Sequence, residues 1–185
     1  MIEEALSELK EAIGKAHEAL RRELGRIRTG RASPDMLDVV RVDYYGRPTP
    51  ISQMASITVP EPRLLVIKPW DKNQLKAIEM AILQSPLGLS PQNDGTVIRV
   101  PIPPLTTERR KELAKMARAA GEECKVAIRK ARHHCRDILE ELKKEGGVSE
   151  DEIERAMKRV EEIVHEGVAK VDEIVASKEK DIMTI

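Results

Sequence analysis

The feature that most constrains this chain is a set of three apolar stripes at helical spacing, the first separated from the others by a long unrelated segment. From Ile2 to Ile27 the apolar positions Ile2, Leu6, Leu9, Ile13, Ala16, Leu20, Leu24 and Ile27 step by four and three, so all lie on one helix face. Thr29-Gly30 ends that run. The pattern resumes only after Pro103-Pro104, with Leu113, Met116, Ala120, Cys124, Ala127, Ala131, Cys135, Ile138 and Leu142. Gly146-Gly147 stops this second helix. Ser149, with Glu152 three residues on, is a capping-box signature, and Glu150 and Asp151 suit the positive end of the helix dipole. The third stripe is Ile153, Met157, Val160, Val164, Val168, Val171, Ile174 or Val175, and Ile182.

One amphipathic helix cannot bury its own stripe. Three of them, two joined by a short reversal, predict a bundle of antiparallel neighbours. At 1.5 Å per residue the longest helix spans roughly 55–60 Å. The first helix must pack on partners that arrive only after the intervening segment, so that segment is an insertion. Its crossings are Thr29-Gly30-Arg31 and Pro103-Pro104-Leu105, which divides the chain into a bundle of residues 1–29 and 105–185 and an insert of residues 30–104. The fold class expected is α+β. A Gly-softened and a Pro-stiffened crossing side by side suit a hinge; two rigidly fused domains are the other reading.

Within the insert, β-favouring runs fall at Leu37–Tyr45, Ala55–Val59, Leu64–Lys68 and Thr96–Ile102, punctuated by Gly and Pro. Pro48 and Pro50 limit pairing in a central strand. Asp71 and Gln74 suit the cap of one short helix, Asn73–Gln84, and Trp70 is expected in the core.

Composition excludes several function classes. Lys+Arg and Asp+Glu both number 32, so the chain is no general polycation, although local patches decide nucleic-acid binding. Charged residues make up 35% and aromatics 2%, as in long solvent-washed helices. Cys124 and Cys135 lie roughly 16 Å apart along one helix, too far to pair with each other. Free thiols suit a reducing compartment, and no apolar stretch approaches a membrane span, so a soluble cytoplasmic protein is expected. His133, His134 and Cys135 are adjacent on a helix and fan apart, so they share no metal. No Gly-rich phosphate loop follows a strand. No catalytic residue, cofactor or metal site is expected, and the chain is not read as an enzyme.

One charged feature is uneven. On the second long helix Arg118, Lys125, Arg129, Arg132 and Arg136 fall within about 60° of one another, about 150° from the apolar seam, over about 27 Å. Such a stripe is expected to face outward, nearly free of acids, and its length suits a nucleic-acid backbone. Arg outnumbers Lys there, and the planar guanidinium fork grips phosphate. Arg26, Arg28 and Arg31 form a second cluster at the first crossing. With only Tyr44, Tyr45 and Trp70 in the insert, base stacking on a sheet is not expected, and a large structured RNA fits better than a single strand. The competing reading is a helical adaptor or scaffold whose stripe binds an acidic protein partner.

Several blocks carry a resemblance. Ile27-Arg28-Thr29-Gly30-Arg31-Ala32-Ser33-Pro34, Tyr44-Tyr45-Gly46-Arg47-Pro48-Thr49-Pro50, Leu87-Gly88-Leu89-Ser90-Pro91, Ile98–Thr106 and Glu108-Arg109-Arg110-Lys111-Glu112-Leu113 make the whole chain resemble the bacterial ribosome-recycling factors. The resemblance implies an L-shaped monomer of tRNA-like dimensions, a three-helix bundle with an inserted β/α/β domain. Its partners would be the 70S ribosome, mainly large-subunit rRNA, and elongation factor G. With that factor and GTP it would split the post-termination ribosome, releasing mRNA and tRNA, while hydrolysing nothing itself. The rRNA-contacting positions would be Arg129 and Arg132, with Arg28 and Arg31 beside a joint at Gly30 and Pro104, and Arg118, Lys125 and Arg136 completing the stripe. His133-His134 departs from the more charged stretch of many relatives.

Overall fold

The computed structural model describes residues 1–184; Ile185, the last residue of the expected bundle, lies outside the described residues. The chain forms two compact units, one of residues 1–28 and 107–184, the other of residues 29–106.

The first unit is helical. It holds α1 (Ile2–Gly25), α3 (Thr107–Glu145) and α4 (Glu150–Thr184); the 39 residues of α3 correspond to about 58 Å. Gly146, at φ +77, takes the left-handed conformation that closes α3, and the Ser149 hydroxyl accepts from the Glu152 amide at 3.2 Å to open α4. The three helices pack on one another. Cross-helix contacts give their directions. Arg118 pairs with Glu179 and Arg132 with Glu161, so α3 and α4 are antiparallel. Glu3 meets Arg159 and His17 donates to the Gly167 carbonyl at 2.9 Å, so α1 and α4 run the same way.

The seam of α1 follows the expected stripe, with Leu6, Leu9, Ile13, Leu20, Leu24 and Ile27 buried. That of α3 does not. Of the expected positions only Leu113, Cys124, Cys135 and Leu142 are fully buried, Met116 being exposed. From Ala114 the buried positions run Ala114, Ala117, Gly121, Cys124, Ile128, Cys135, Leu139 and Leu142. These fit a seven-residue repeat with alternating steps of four and three, the spacing that keeps a helix in register with long partners. The physical reason is close approach. Built on Gly121, a Cβ would stand 2.6 Å from Val175 Cγ2, and on Gly167 it would stand 2.9 Å from Ile13 Cγ2. Both helix pairs meet where a side chain is missing.

The second unit begins with a hairpin, β1 (Arg41–Tyr44) and β2 (Arg47–Pro50), turning through Tyr45 and Gly46, both at positive φ as a tight two-residue turn requires. Val42 faces Thr49. The prolines of β2 are thus accommodated in a two-stranded ribbon, outside the main sheet. That sheet is antiparallel, in the order β3 (Ala55–Glu61), β4 (Leu64–Pro69), β6 (Ile98–Pro101) and β5 (Gln92–Asn93). Leu65 opposite Val100 and Ile67 opposite Ile98 form its buried face, and α2 (Leu75–Gln84) contributes Leu75, Ile78 and Ile82 to the same core. The sheet is flanked on its edge by β5, a strand too short to be read from its pattern.

Three local expectations change. Pro34–Leu37 is a 3-10 turn, capped by Ser33, so the first strand is shorter than Leu37–Tyr45. The Asp71 carboxylate accepts from the Asn73 amide at 3.0 Å, but it opens a 3-10 turn, Lys72–Gln74, that leads into α2. Trp70 is 70% exposed rather than in the core. It follows Pro69 at the end of β4, where strand alternation turns the buried face to Pro69 and the indole to solvent.

Among the described residues, no helix is long and apolar enough to cross a membrane, and no cluster of His, Cys, Asp and Glu is arranged to hold a metal.

Candidate nucleic-acid interface

The corrected seam of α3 moves the basic stripe. Measured from Ala117, Gly121, Cys124, Ile128, Cys135, Leu139 and Leu142, the centre of Arg118, Lys125, Arg129, Arg132 and Arg136 lies about 80° away, not about 150°. The stripe is a flank of the bundle seam and borders α4.

Nor is it free of acids. Arg118 Nη1 lies 3.2 Å from Glu179 Oε1, and Lys125 Nζ lies 2.8 Å from Asp172 Oδ1 and 3.5 Å from Glu122 Oε1. Arg132 grips Glu161 through Nε at 2.9 Å and Nη2 at 2.8 Å, and Arg136 Nη1 reaches the same carboxylate oxygen at 3.2 Å. The interactions leave a mark on protonation. Hydrogen bonding to Arg132 holds the Glu161 carboxyl below its ordinary range, and the bond to Asp172 raises the Lys125 ammonium. Lys125 is also the least exposed of these cations, its side chain 19% accessible.

Arg129 is different. It is exposed, it lies at the outer edge of the flank, and it has no acidic partner among the described residues. Around it the open surface of α3 carries Val126, Lys130, His133, His134 and Asp137. His133 Nε2 is 3.6 Å from Asp137 Oδ2, so this face mixes charges and imidazoles rather than presenting bare cations.

The remaining expected residues sit at the crossings. Arg28 ends the first segment of the helical unit and Arg31 lies in the other unit; both are exposed. Gly30 has φ +81 and a Cβ there would meet Leu105 Cγ at 3.1 Å, so the two connecting segments run against one another inside the second unit. Pro104, next to Leu105, is exposed. The adjacent backbone is tied to the sheet by Ala32 N–H to Pro62 O at 2.7 Å and Ile102 N–H to Arg63 O at 2.8 Å.

Sequence reasoning missed the partner row on α4. Glu161, Asp172 and Glu179 are spaced by eleven and seven residues, which places them within about 20° on one flank. That spacing was available as a signal, matching the basic row across an antiparallel pair.

Comparison with known proteins is consistent over the full length. Residues 20–183 match the family model described as ribosome recycling factor. The ribosome-recycling factor of Sorangium cellulosum is 57% identical over 185 residues, covering all of both chains. A solution structure of a ribosome recycling factor superposes with a TM-score of 0.67 at 38% identity, covering 100% of this chain and 98% of that one. A structure of the T. thermophilus ribosome recycling factor, with E. coli elongation factor G on the E. coli post-termination complex, gives 0.60 at 44% identity, covering 99% of each chain. With its bundle, its inserted antiparallel sheet and this full-length likeness, the chain belongs to the ribosome recycling factor family.

Proposed function

We propose that this protein recycles ribosomes after termination: it binds the post-termination 70S ribosome through large-subunit rRNA and, with elongation factor G and GTP, separates the subunits. The observation that carries the reading is the full-length likeness to a protein solved together with elongation factor G on that complex. The factor works as a cytoplasmic monomer and hydrolyses nothing; GTP is consumed by its partner.

The α3 flank supplies the rRNA contacts in this reading, and the ion pairs on that flank support a ranking of them. Arg129 meets a phosphate without first giving up a carboxylate. Arg132 and Arg136 keep unused N–H groups beyond those on Glu161, since a guanidinium carries five. Arg118 and Lys125 are further committed to α4 and contribute less. Arg28 and Arg31 add contacts near the crossings. The second unit turns at Gly30 and Pro104, where one backbone has a left-handed glycine and the other a proline pair, so elongation factor G moves it while the bundle stays anchored.

The salt dependence of 70S binding tests the ranking. Arg129→Ala is expected to weaken binding and reduce the slope of log K against log salt by roughly one, while Lys125→Ala changes the slope less. Equal slopes for Arg129→Ala and the parent protein contradict the assignment of Arg129.

A further inference from the structure

On the flank of α3 a single carboxylate holds two guanidiniums. Arg132 Nε lies 2.9 Å from Glu161 Oε1 and 3.2 Å from Oε2, and its Nη2 lies 2.8 Å from Oε1. The carboxylate therefore occupies one side edge of the guanidinium. The end edge, between Nη1 and Nη2, keeps its two parallel N–H groups, the arrangement that takes a phosphate in bidentate fashion. Arg136 is tethered through Nη1 to the same oxygen at 3.2 Å. Both guanidiniums remain partly accessible, at 36% and 42% for their side chains.

We propose that Glu161 of α4 is a positioning residue for phosphate recognition: it clamps the side edge of Arg132 and tethers Arg136, so that the two guanidiniums form one prearranged anion site beside Arg129. The proposal rests on the reading of the α3 flank as the rRNA-contacting surface. Two physical consequences follow from the clamp. The side-chain freedom that a free arginine surrenders on binding is already restricted before the ribosome arrives. In addition, two positive charges and one negative leave a net charge of +1, which limits attraction to polyanions in general. Glu161 thus trades general electrostatic attraction for an oriented site, and it favours a structured phosphate backbone over a flexible one.

The test is a double-mutant comparison of Glu161→Ala, Arg132→Ala and the pair, measuring affinity for 70S ribosomes and for polyuridylate at several salt concentrations. Glu161→Ala is expected to bind ribosomes roughly three- to tenfold more weakly. Its affinity for polyuridylate should be unchanged or higher, because the local charge becomes more positive. In an Arg132→Ala background the same substitution should lower ribosome affinity by a clearly smaller factor than it does alone, since only the tether to Arg136 is left for it to remove. Glu161→Gln, which keeps an acceptor oxygen, should lose less than Glu161→Ala, and it carries the comparison if the alanine variant folds poorly.

Ribosome binding that is unmoved or tightened in Glu161→Ala overturns the positioning role, the latter outcome making Glu161 a mask. Additive losses in the double variant overturn it too, by placing its effect elsewhere. The parent reading fails separately: Arg132→Ala and Arg129→Ala both binding ribosomes like the unaltered protein would remove this flank from the interface and the proposal with it.

Discussion

Gly121 of α3 lies against Val175 of α4 so closely that a Cβ added to the glycine would stand 2.6 Å from Val175 Cγ2. Valine is stiff about χ1, and a second residue of α4, Val171, borders the same notch with its Cγ1 3.6 Å from the added Cβ, so the neighbour has little room to give. This contact fixes the spacing of the two long helices and lies between the Arg118 and Lys125 pairs to α4, about one turn from each.

Replacing Gly121 by alanine therefore sets overpacking against helix propensity. The overpacking cost is about 1–3 kcal/mol and the propensity gain is about 1 kcal/mol, so a net loss of up to about 2 kcal/mol is expected. Gly14 provides the contrast. It is an exposed α1 position where an added Cβ would meet nothing within 4 Å, and Gly14→Ala should raise stability by about 0.5–1 kcal/mol. Urea unfolding of both variants checks the opposite signs. A stabilised Gly121→Ala means the helices are further apart than described.

The two cysteines should be slow to react in the native protein. Cys124 Sγ donates to the Ala16 carbonyl at 3.4 Å and Cys135 Sγ to the Ala5 carbonyl at 3.5 Å, so both thiols sit in the α1–α3 seam. Burial raises both above the ordinary thiol value, and for Cys135 the nearby Glu8 carboxylate adds to the rise. Because the folded values are raised, the stability they contribute is present below the ordinary thiol range and is lost as pH rises through the folded values. Titration with an aromatic disulfide at mildly alkaline pH should show slow labelling that becomes fast in denaturant. Rapid labelling of both thiols in the native state contradicts the seam.

Asp94 caps the turn before β6. Its carboxylate accepts from the Thr96 and Val97 amides, each at 2.9 Å, and pairs with Arg99. Those backbone bonds, with the Arg99 contact behind them, hold the carboxyl far below its ordinary 3.8. Since the folded value is depressed, the contribution to stability is present above about pH 4 and fades as pH falls through the folded value. Carbon-13 titration of the aspartate side chains should find one, assigned to Asp94, still ionised in acid where the others have protonated. A midpoint near 3.8 for Asp94 contradicts the hydrogen-bonded turn.

Much of the helical unit was legible because leucine and isoleucine at steps of three and four mark a seam by themselves, as along α1. On α3 the same count was misled: Gly121 and Ala117 are seam residues that carry almost no apolar surface, while Met116, large and apolar, is exposed. A phase set by hydrophobicity alone therefore rotated the helix, and it placed the basic stripe too far from α4. The pairing of Arg132 with Glu161 depends on that phase and on the stagger of two helices, neither of which is encoded locally. Trp70 was misplaced for a related reason, since its position is decided by strand alternation beyond Ile67 and Pro69 rather than by its size. In the hairpin, Pro48 and Pro50 argued against a central strand, and β2 pairs only in a two-stranded ribbon. The turn falls at Tyr45-Gly46 rather than at Gly46-Arg47-Pro48, because positive φ at Tyr45 is not marked by its residue type.

The most direct test of the account is subunit splitting. Post-termination 70S ribosomes are mixed with purified protein, elongation factor G and GTP, and light scattering follows dissociation. The account predicts GTP-dependent splitting that needs both factors and that slows with Arg129→Ala although the melting temperature holds, because that side chain is exposed. No splitting with a cognate elongation factor G, under conditions in which another ribosome recycling factor splits the same ribosomes, would contradict it.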